Sequence, residues 1–294
     1  MANSSPWSLE GRTVLITGIT QGIGRIAAQE LAKKRCRLLL VARDATRGAA
    51  VIDEIKAQSG NPNIELLLAD LSRMADVRKL AQDTKTRTDR LDVLLNNAGA
   101  LYMSRQLSVD GFEMTFALNH LAYFLLTQEL LPLVEQTANA HGSARIINVA
   151  SNAHFRAGQL NFDDLMQEHG YSGFPVYCRS KLANLLFTFE LARRLQQRGV
   201  LNVTANCLHP GFVASGFGLN NSPLMRLAMK IGSVFAISPE EGAKTSIYLA
   251  ESPEVQNQTG RYFVKCRPAR SSRASNDLDT ARRLWEASEK LLAR

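Results

Sequence analysis

The sequence predicts an α/β fold: a doubly wound, seven-stranded, mainly parallel sheet with helices on both faces. Short apolar runs recur at 14–16, 38–41, 64–68, 91–95, 146–149, 203–208 and 262–264. They are apolar throughout rather than alternating, as strands covered on both sides must be. Helical stretches fill the intervals, so strand and helix alternate along the chain.

The elements follow in order. The first run ends in the glycine-rich stretch Thr17-Gly18-Ile19-Thr20-Gln21-Gly22-Ile23-Gly24, and a helix opens at Arg25-Ile26-Ala27. The second run ends at Ala42-Arg43-Asp44, the third at Asp70-Leu71, and the fourth at Asn96-Asn97-Ala98-Gly99. An apolar helix containing Asn119 then precedes the fifth run, which closes on Ser151. Residues 153–175 have few apolar repeats and contain Gly158, Gly170 and Gly173, so a long loop is expected there. A long helix carrying Tyr177 and Lys181 leads to the sixth run, which ends at His209-Pro210-Gly211. Residues 211–237 form the second irregular segment, with Leu224, Leu227, Ala228 and Ile231 on one helical face and Arg226 and Lys230 on another. Ser238-Pro239-Glu240-Glu241 offers an N-cap, a proline at the first helical position and acids in the first turn. No repeat or linker divides the chain, so residues 1–294 are expected to form one domain.

The composition narrows the class. Of 294 residues 45% are hydrophobic and 21% charged, which excludes a disordered or fibrous protein. The net charge of +8 suits an anionic partner such as a phosphorylated cofactor. Four scattered cysteines, with no CxxC pair or histidine cluster nearby, argue against a disulfide framework or a metal site and for a reducing compartment. Residues 1–12 lack the apolar core of a signal peptide, and no uncharged apolar run approaches the roughly 18 residues of a membrane span. A soluble, cytoplasmic protein is expected, with at most peripheral membrane contact through Arg226 and Lys230.

Glycine at 18 permits a tight turn, glycine at 22 lets backbone approach a pyrophosphate, and glycine at 24 lets the helix pack against the strand. Three glycines also suit a plain turn, but the strand before and the helix after favour the phosphate loop. A dinucleotide site places an acid about 20 residues on to bind the ribose hydroxyls. Here Ala42 and Arg43 occupy that place, and a guanidinium suits a 2′-phosphate. Arg43 could instead pair with Asp44, and Asp70 could cap the following helix.

Tyr177 and Lys181, four apart on a helix, share one face about 6 Å apart along the axis. An ammonium about 4 Å from a phenol, at an effective dielectric of about 20, contributes about 4 kcal/mol. That is about three pKa units, enough to bring the phenol near 7. Alone, such a pair is more often a surface feature. Ser151, at the carboxyl edge of the sheet where α/β folds bind ligands, gives it context as a donor to a carbonyl oxygen. Asn119 needs partners inside an apolar helix, as a kink bonded to backbone or as part of a site.

The spacing Gly18-x-x-x-Gly22-x-Gly24, together with Asn97-Ala98-Gly99 and then Ser151, Tyr177 and Lys181 in order, resembles the short-chain dehydrogenase/reductase family, which has a Rossmann-type fold. The resemblance runs from Thr13 almost to the C-terminus. It implies a catalytic tetrad of Asn119, Ser151, Tyr177 and Lys181, with Asn119 fixing a water that links Lys181 to solvent. It implies cofactor binding by Gly18, Thr20, Gln21, Gly22, Ile23, Gly24, Arg43, Asp70, Leu71, Asn97, Ala98, Gly99, Tyr177, Lys181, Pro210, Gly211, Val213 and Ser215. Tyr177-Cys178-Arg179-Ser180-Lys181-Leu182-Ala183-Asn184, Leu208-His209-Pro210-Gly211 and Gly260-Arg261-Tyr262-Phe263 are similar to the retinol dehydrogenase-like branch, which includes the catalytic part of the WW-domain oxidoreductase.

The activity expected is NADP(H)-dependent hydride transfer between a carbonyl and its alcohol, with Tyr177 as acid/base. Phe155, Phe174, Phe212, Phe217, Leu224 and Met225 suggest a bulky apolar substrate. A homodimer is allowed. An NADP(H)-sensing protein of the same fold with little turnover is the alternative. Nucleic-acid binding by the basic residues between 261 and 273 is not expected, because few aromatics interleave them.

Overall fold

A computed structural model of the chain describes residues 7–213 and 237–293. Among the described residues the sheet has eight strands in the order β3-β2-β1-β4-β5-β6-β7-β8. They are β1 (Thr13–Thr17), β2 (Arg37–Ala42), β3 (Ile64–Leu68), β4 (Val93–Asn96), β5 (Ala144–Val149), β6 (Val203–His209), β7 (Arg261–Val264) and β8 (Arg267–Pro268). The first seven run parallel, and β8 returns antiparallel along β7. The expectation of seven strands therefore misses one. At two residues, one of them a proline, β8 has no apolar run to announce it, and Lys265 and Cys266 turn the hairpin with φ of +50° and +60°.

Alternate residues of the central strands feed two cores. Val14 and Ile16, with Leu38 and Leu40, face the helices α1 (Gly22–Ala32), α2 (Ala45–Ser59) and α6 (Pro239–Glu251). Leu15, Leu39 and Val41 face α3 (Met74–Arg87), α4 (Ala122–His141), α5 (Gly173–Gln197) and α7 (Leu278–Leu292). Burial on both faces is what made the runs continuous in the sequence. Helix α6 begins as expected: the Ser238 hydroxyl accepts from the Glu241 N–H at 3.2 Å, with Pro239 in the first turn. Helix α7 closes the second core by stacking Trp285 on Phe124 and Phe187 at 4.9 and 5.8 Å between ring centroids.

Strand order reverses between β1 and β4, which neighbour each other while their crossovers run in opposite directions. In open α/β sheets such a switch point leaves a crevice at the carboxyl ends of the strands. The expected loop 153–175 is partly ordered, with 3₁₀ turns at Asn152–Arg156 and Phe162–Asp164, and α5 already begins at Gly173. Residues 214–236, which include Ser215, Phe217, Leu224, Met225, Arg226 and Lys230, lie outside the described residues. Among the described residues no helix is long and apolar enough to cross a membrane, and no three His, Cys, Asp or Glu side chains gather to hold a metal ion.

Candidate active site

The glycine loop leaves β1 into the crevice. Gly18 adopts φ +75°, and a Cβ there would lie 2.8 Å from the Ala98 Cα. A Cβ on Gly24 would collide with the Gly18 carbonyl oxygen and the Asn97 side-chain amide. The approach that excludes a side chain is held by hydrogen bonds. Asn97 Nδ2 donates to the carbonyls of Thr17 and Gly18 at 2.8 and 3.2 Å, and Thr17 Oγ1 accepts from the N–H groups of Asn97 and Ala98 at 2.9 and 3.0 Å. Thr17 escaped the sequence reading, although a polar residue ending an apolar strand was the available signal. Helix α1 then starts with Gln21 extended, no side-chain cap and no acid in its first turn. Its leading N–H groups and the positive end of its dipole are therefore left to an anion. Thr20 and Ile23 flank this turn, half-buried. The cradle and the uncapped helix end fit a dinucleotide pyrophosphate.

Arg43 follows β2 and is exposed at the same edge. Asp44 is engaged elsewhere, its carboxylate accepting from the Arg47 N–H at 2.9 Å and capping α2. Asp70 accepts from the Ser72 N–H and hydroxyl at 3.0 and 2.7 Å, and Leu71 is buried beside it. Neither Asp70 nor Ser72 caps α3. Its first N–H, at Met74, donates to Asp110 at 2.9 Å, from a loop no spacing rule could have singled out. On the far side of the crevice Gly211 takes φ +98° after Pro210, where any Cβ would strike Ile237. Val213 bridges to Ile237.

Ser151, Tyr177, Lys181 and Asn119 come together at the ends of β4 and β5. Ser151 follows β5, its Oγ accepting from the Ala153 N–H at 3.2 Å. Its hydroxyl also hydrogen-bonds to the Tyr177 phenol in the sense that favours the phenolate. Lys181 Nζ, buried one helical turn beyond Tyr177, donates to the Val149 carbonyl at 3.0 Å and lies 5.7 Å from the Tyr177 ring centroid. Gly99 leaves room for the neighbouring Asn119, since a Cβ there would sit 3.0 Å from Asn119 Oδ1, and it would touch Lys181 Nζ at 3.6 Å, an ordinary contact.

The expected tuning of the phenol to near 7 does not appear. At 5.7 Å the same Coulomb argument yields about 3 kcal/mol. Burial outweighs it, pushing Tyr177 up to about 12 and the Lys181 ammonium down to about 7.

Asn119 sits in a π-helical turn, Ala117–Leu121, at the entry to α4. Its side chain accepts from the Ala100 N–H at 2.8 Å and donates to the Ala100 carbonyl at 2.9 Å and the Ser180 hydroxyl at 3.0 Å. Both readings of the sequence touch this residue: it does bond backbone at a local distortion, and it stands beside Lys181. His209 is buried and neutral, its pKa pressed down to about 4 by burial, in keeping with a loop-shaping role.

Comparison with known proteins agrees with this geometry. The short chain dehydrogenase family model matches residues 12–223, and the chain belongs to that family. Within it the chain is retinol dehydrogenase-like: human retinol dehydrogenase 14 is 40% identical, over 97% of this chain and 87% of its own. A crystal structure of an uncharacterized protein from Mycobacterium paratuberculosis superposes with a TM-score of 0.78 at 30% identity, covering 100% of this chain and 97% of its own. The Pseudomonas aeruginosa RhlG/NADP active-site complex superposes with a TM-score of 0.68 at 30% identity, covering 88% and 96%. The protein is thus an NAD(P)-dependent oxidoreductase acting between alcohols and carbonyls.

Proposed function

We propose that this chain is an NADP(H)-dependent enzyme that interconverts a bulky apolar aldehyde or ketone and its alcohol, with Tyr177 as the acid/base. The observation that carries the reading is the meeting of Ser151, Tyr177 and buried Lys181 beside a glycine cradle, with the Arg43 guanidinium at the end of β2. In this reading the loop from Gly18 to Gly24 holds the pyrophosphate. Arg43 holds the 2′-phosphate, and Asp70, Leu71 and the Asn97–Gly99 turn line the adenosine side. Pro210, Gly211 and Val213, with Ser215 beyond the described residues, flank the nicotinamide. The cofactor supplies or accepts the hydride at the carbonyl carbon.

The chain's own residues handle the oxygen. A phenol raised to about 12 keeps its proton at neutral pH, the form that reduction requires. During reduction Tyr177 passes that proton to the carbonyl oxygen while the Ser151 hydroxyl donates a hydrogen bond to the same atom. The Lys181 charge then favours the resulting phenolate, and the alcohol oxidation runs through the same groups in reverse. Phe155, Phe174 and Phe212, exposed at 55%, 41% and 61%, lie around this edge and favour an apolar substrate. Residues 1–294 are read as one domain, cytoplasmic and with a homodimer allowed.

Stopped-flow mixing with NADPH and decanal tests the proposal. Tyr177→Phe is expected to lose at least about a hundredfold in turnover, within the 10²–10⁴ that general acid catalysis supplies, while NADPH still binds. Retention of more than about a hundredth of turnover would refute the acid role.

A further inference from the structure

The imidazole of His154 connects the reaction centre to a distant part of the chain. His154 is 1% exposed, and both ring nitrogens are engaged. Nε2 lies 3.1 Å from the Ser272 backbone N, and a backbone N–H can only donate, so Nε2 is the unprotonated acceptor. The proton therefore resides on Nδ1, which donates to the Ser151 carbonyl at 2.6 Å. The ring is clamped between Phe155, at 4.2 Å between centroids, and Tyr262, at 5.0 Å and nearly perpendicular. One neutral tautomer thus links Ser151 to the strap between β8 and α7, where Ser272 lies 118 residues beyond His154.

This link bears on the chemistry through the serine. The Ser151 carbonyl also accepts from the His154 N–H at 3.2 Å, so two donors from one residue fix the peptide that follows Ser151. That peptide leads to the Ala153 N–H, which occupies an acceptor site of Ser151 Oγ at 3.2 Å. With an acceptor site taken, the hydroxyl's single proton is oriented to donate, towards the phenol in the free enzyme or to the substrate oxygen in the reaction.

We propose that His154 is a positioning residue for the hydride-transfer reaction: it ties Ser151 to the backbone of Ser272 and thereby holds the serine hydroxyl in its donor orientation. The inference rests on the reading of Ser151 given above.

A double-mutant cycle in the NADPH and decanal assay tests it. His154→Phe keeps a ring of similar size between Phe155 and Tyr262 and removes both hydrogen bonds. It is expected to lower kcat at least about tenfold, since a misplacement of about 1 Å can cost about 100-fold. NADPH affinity should stay within about twofold, and in a Ser151→Ala background the same change should cost nothing further. An unchanged kcat, or the same loss in both backgrounds, would overturn the proposal. Ser151→Ala at wild-type turnover would instead overturn the reading of Ser151 on which it rests.

A second pair guards against misfolding of His154→Phe. Ser272 has φ −64°, which proline adopts without strain. Ser272→Pro therefore deletes the N–H, whereas Ser272→Ala keeps it and loses the same hydroxyl. Ser272→Pro should turn over at least about fivefold more slowly than Ser272→Ala, and equal rates would overturn the proposal.

Discussion

Replacing Lys181 by methionine should stabilise the protein while removing its activity. Lys181 is 3% exposed, and burial lowers its ammonium from 10.5 to about 7. A lysine whose folded pKa is depressed binds more protons when unfolded, so its penalty is complete below pH 7 and fades as pH rises towards 10.5. The full shift corresponds to about 4 kcal/mol at pH 7 and about 2 kcal/mol at pH 9, as ceilings. Relaxation and water penetration reduce such penalties, so an increase of about 2 kcal/mol at pH 7 and under about 1 kcal/mol at pH 9 is expected. The substitution leaves no carbonyl stranded, because Asn184 Nδ2 also donates to the Val149 oxygen, at 3.4 Å. Urea unfolding of both proteins at the two pH values measures the gap. A variant no more stable than wild type at pH 7, or a gap that does not narrow by pH 9, would refute the reasoning.

Wild-type protein should bind NADPH at least about tenfold more tightly than NADH, and Arg43→Ala should erase the difference. Tenfold is about 1.4 kcal/mol, less than a charged hydrogen bond usually contributes, and equal dissociation constants for wild type would sink the assignment. Catalytic efficiency should climb from propanal to decanal in step with about 0.8 kcal/mol per buried CH₂ until the pocket is full, and a flat series would remove the apolar pocket. Stability should fall on the acid side, because burial holds His120 at about 3 and His209 at about 4, so the unfolded chain takes up protons as pH drops through 6.5. From pH 6.5 to 5 the two together should cost about 3 kcal/mol in urea titrations, and a loss under about 1 kcal/mol would count against it.

The parts of this molecule readable from sequence are those set by local chemistry. Continuous apolar runs gave seven strands because burial on both faces leaves no polar alternation, and Gly18, Gly22 and Gly24 stood out because each occupies backbone that a Cβ would spoil or strain. Tyr177 and Lys181 share a face because they are four apart on α5. What could not be read is set by long-range packing. Asp110 starts α3 from 36 residues away, and His154 meets Ser272 across 118. The phenol pKa is out of reach for the same reason: spacing supplies a charge–charge distance, whereas the desolvation that raises Tyr177 depends on how the folded chain packs around its ring.

The same packing explains why an apolar core carries a line of amides behind the site. Asn96 Nδ2 donates to Thr127 Oγ1 at 3.1 Å and to Asn148 Oδ1 at 2.9 Å, joining β4 to α4 and to β5. Asn148 Nδ2 donates to Thr188 Oγ1 at 2.9 Å, which in turn donates to the Asn184 carbonyl on α5. All five residues are buried, where a stranded amide donor would cost more than a paired one returns, so only one alignment of the two strands and two helices keeps the Asn96 and Asn148 amide donors paired. That alignment is the one the reaction needs. Asn96 directly precedes the Asn97 that holds the glycine loop, and Asn184 lies three residues beyond Lys181. A slip of α5 along β5 would therefore break the amide line before it moved the acid/base pair away from the cofactor cradle. Apolar side chains of equal volume would fill the space without penalising such a slip, so the network contributes register where greasier packing would contribute only cohesion.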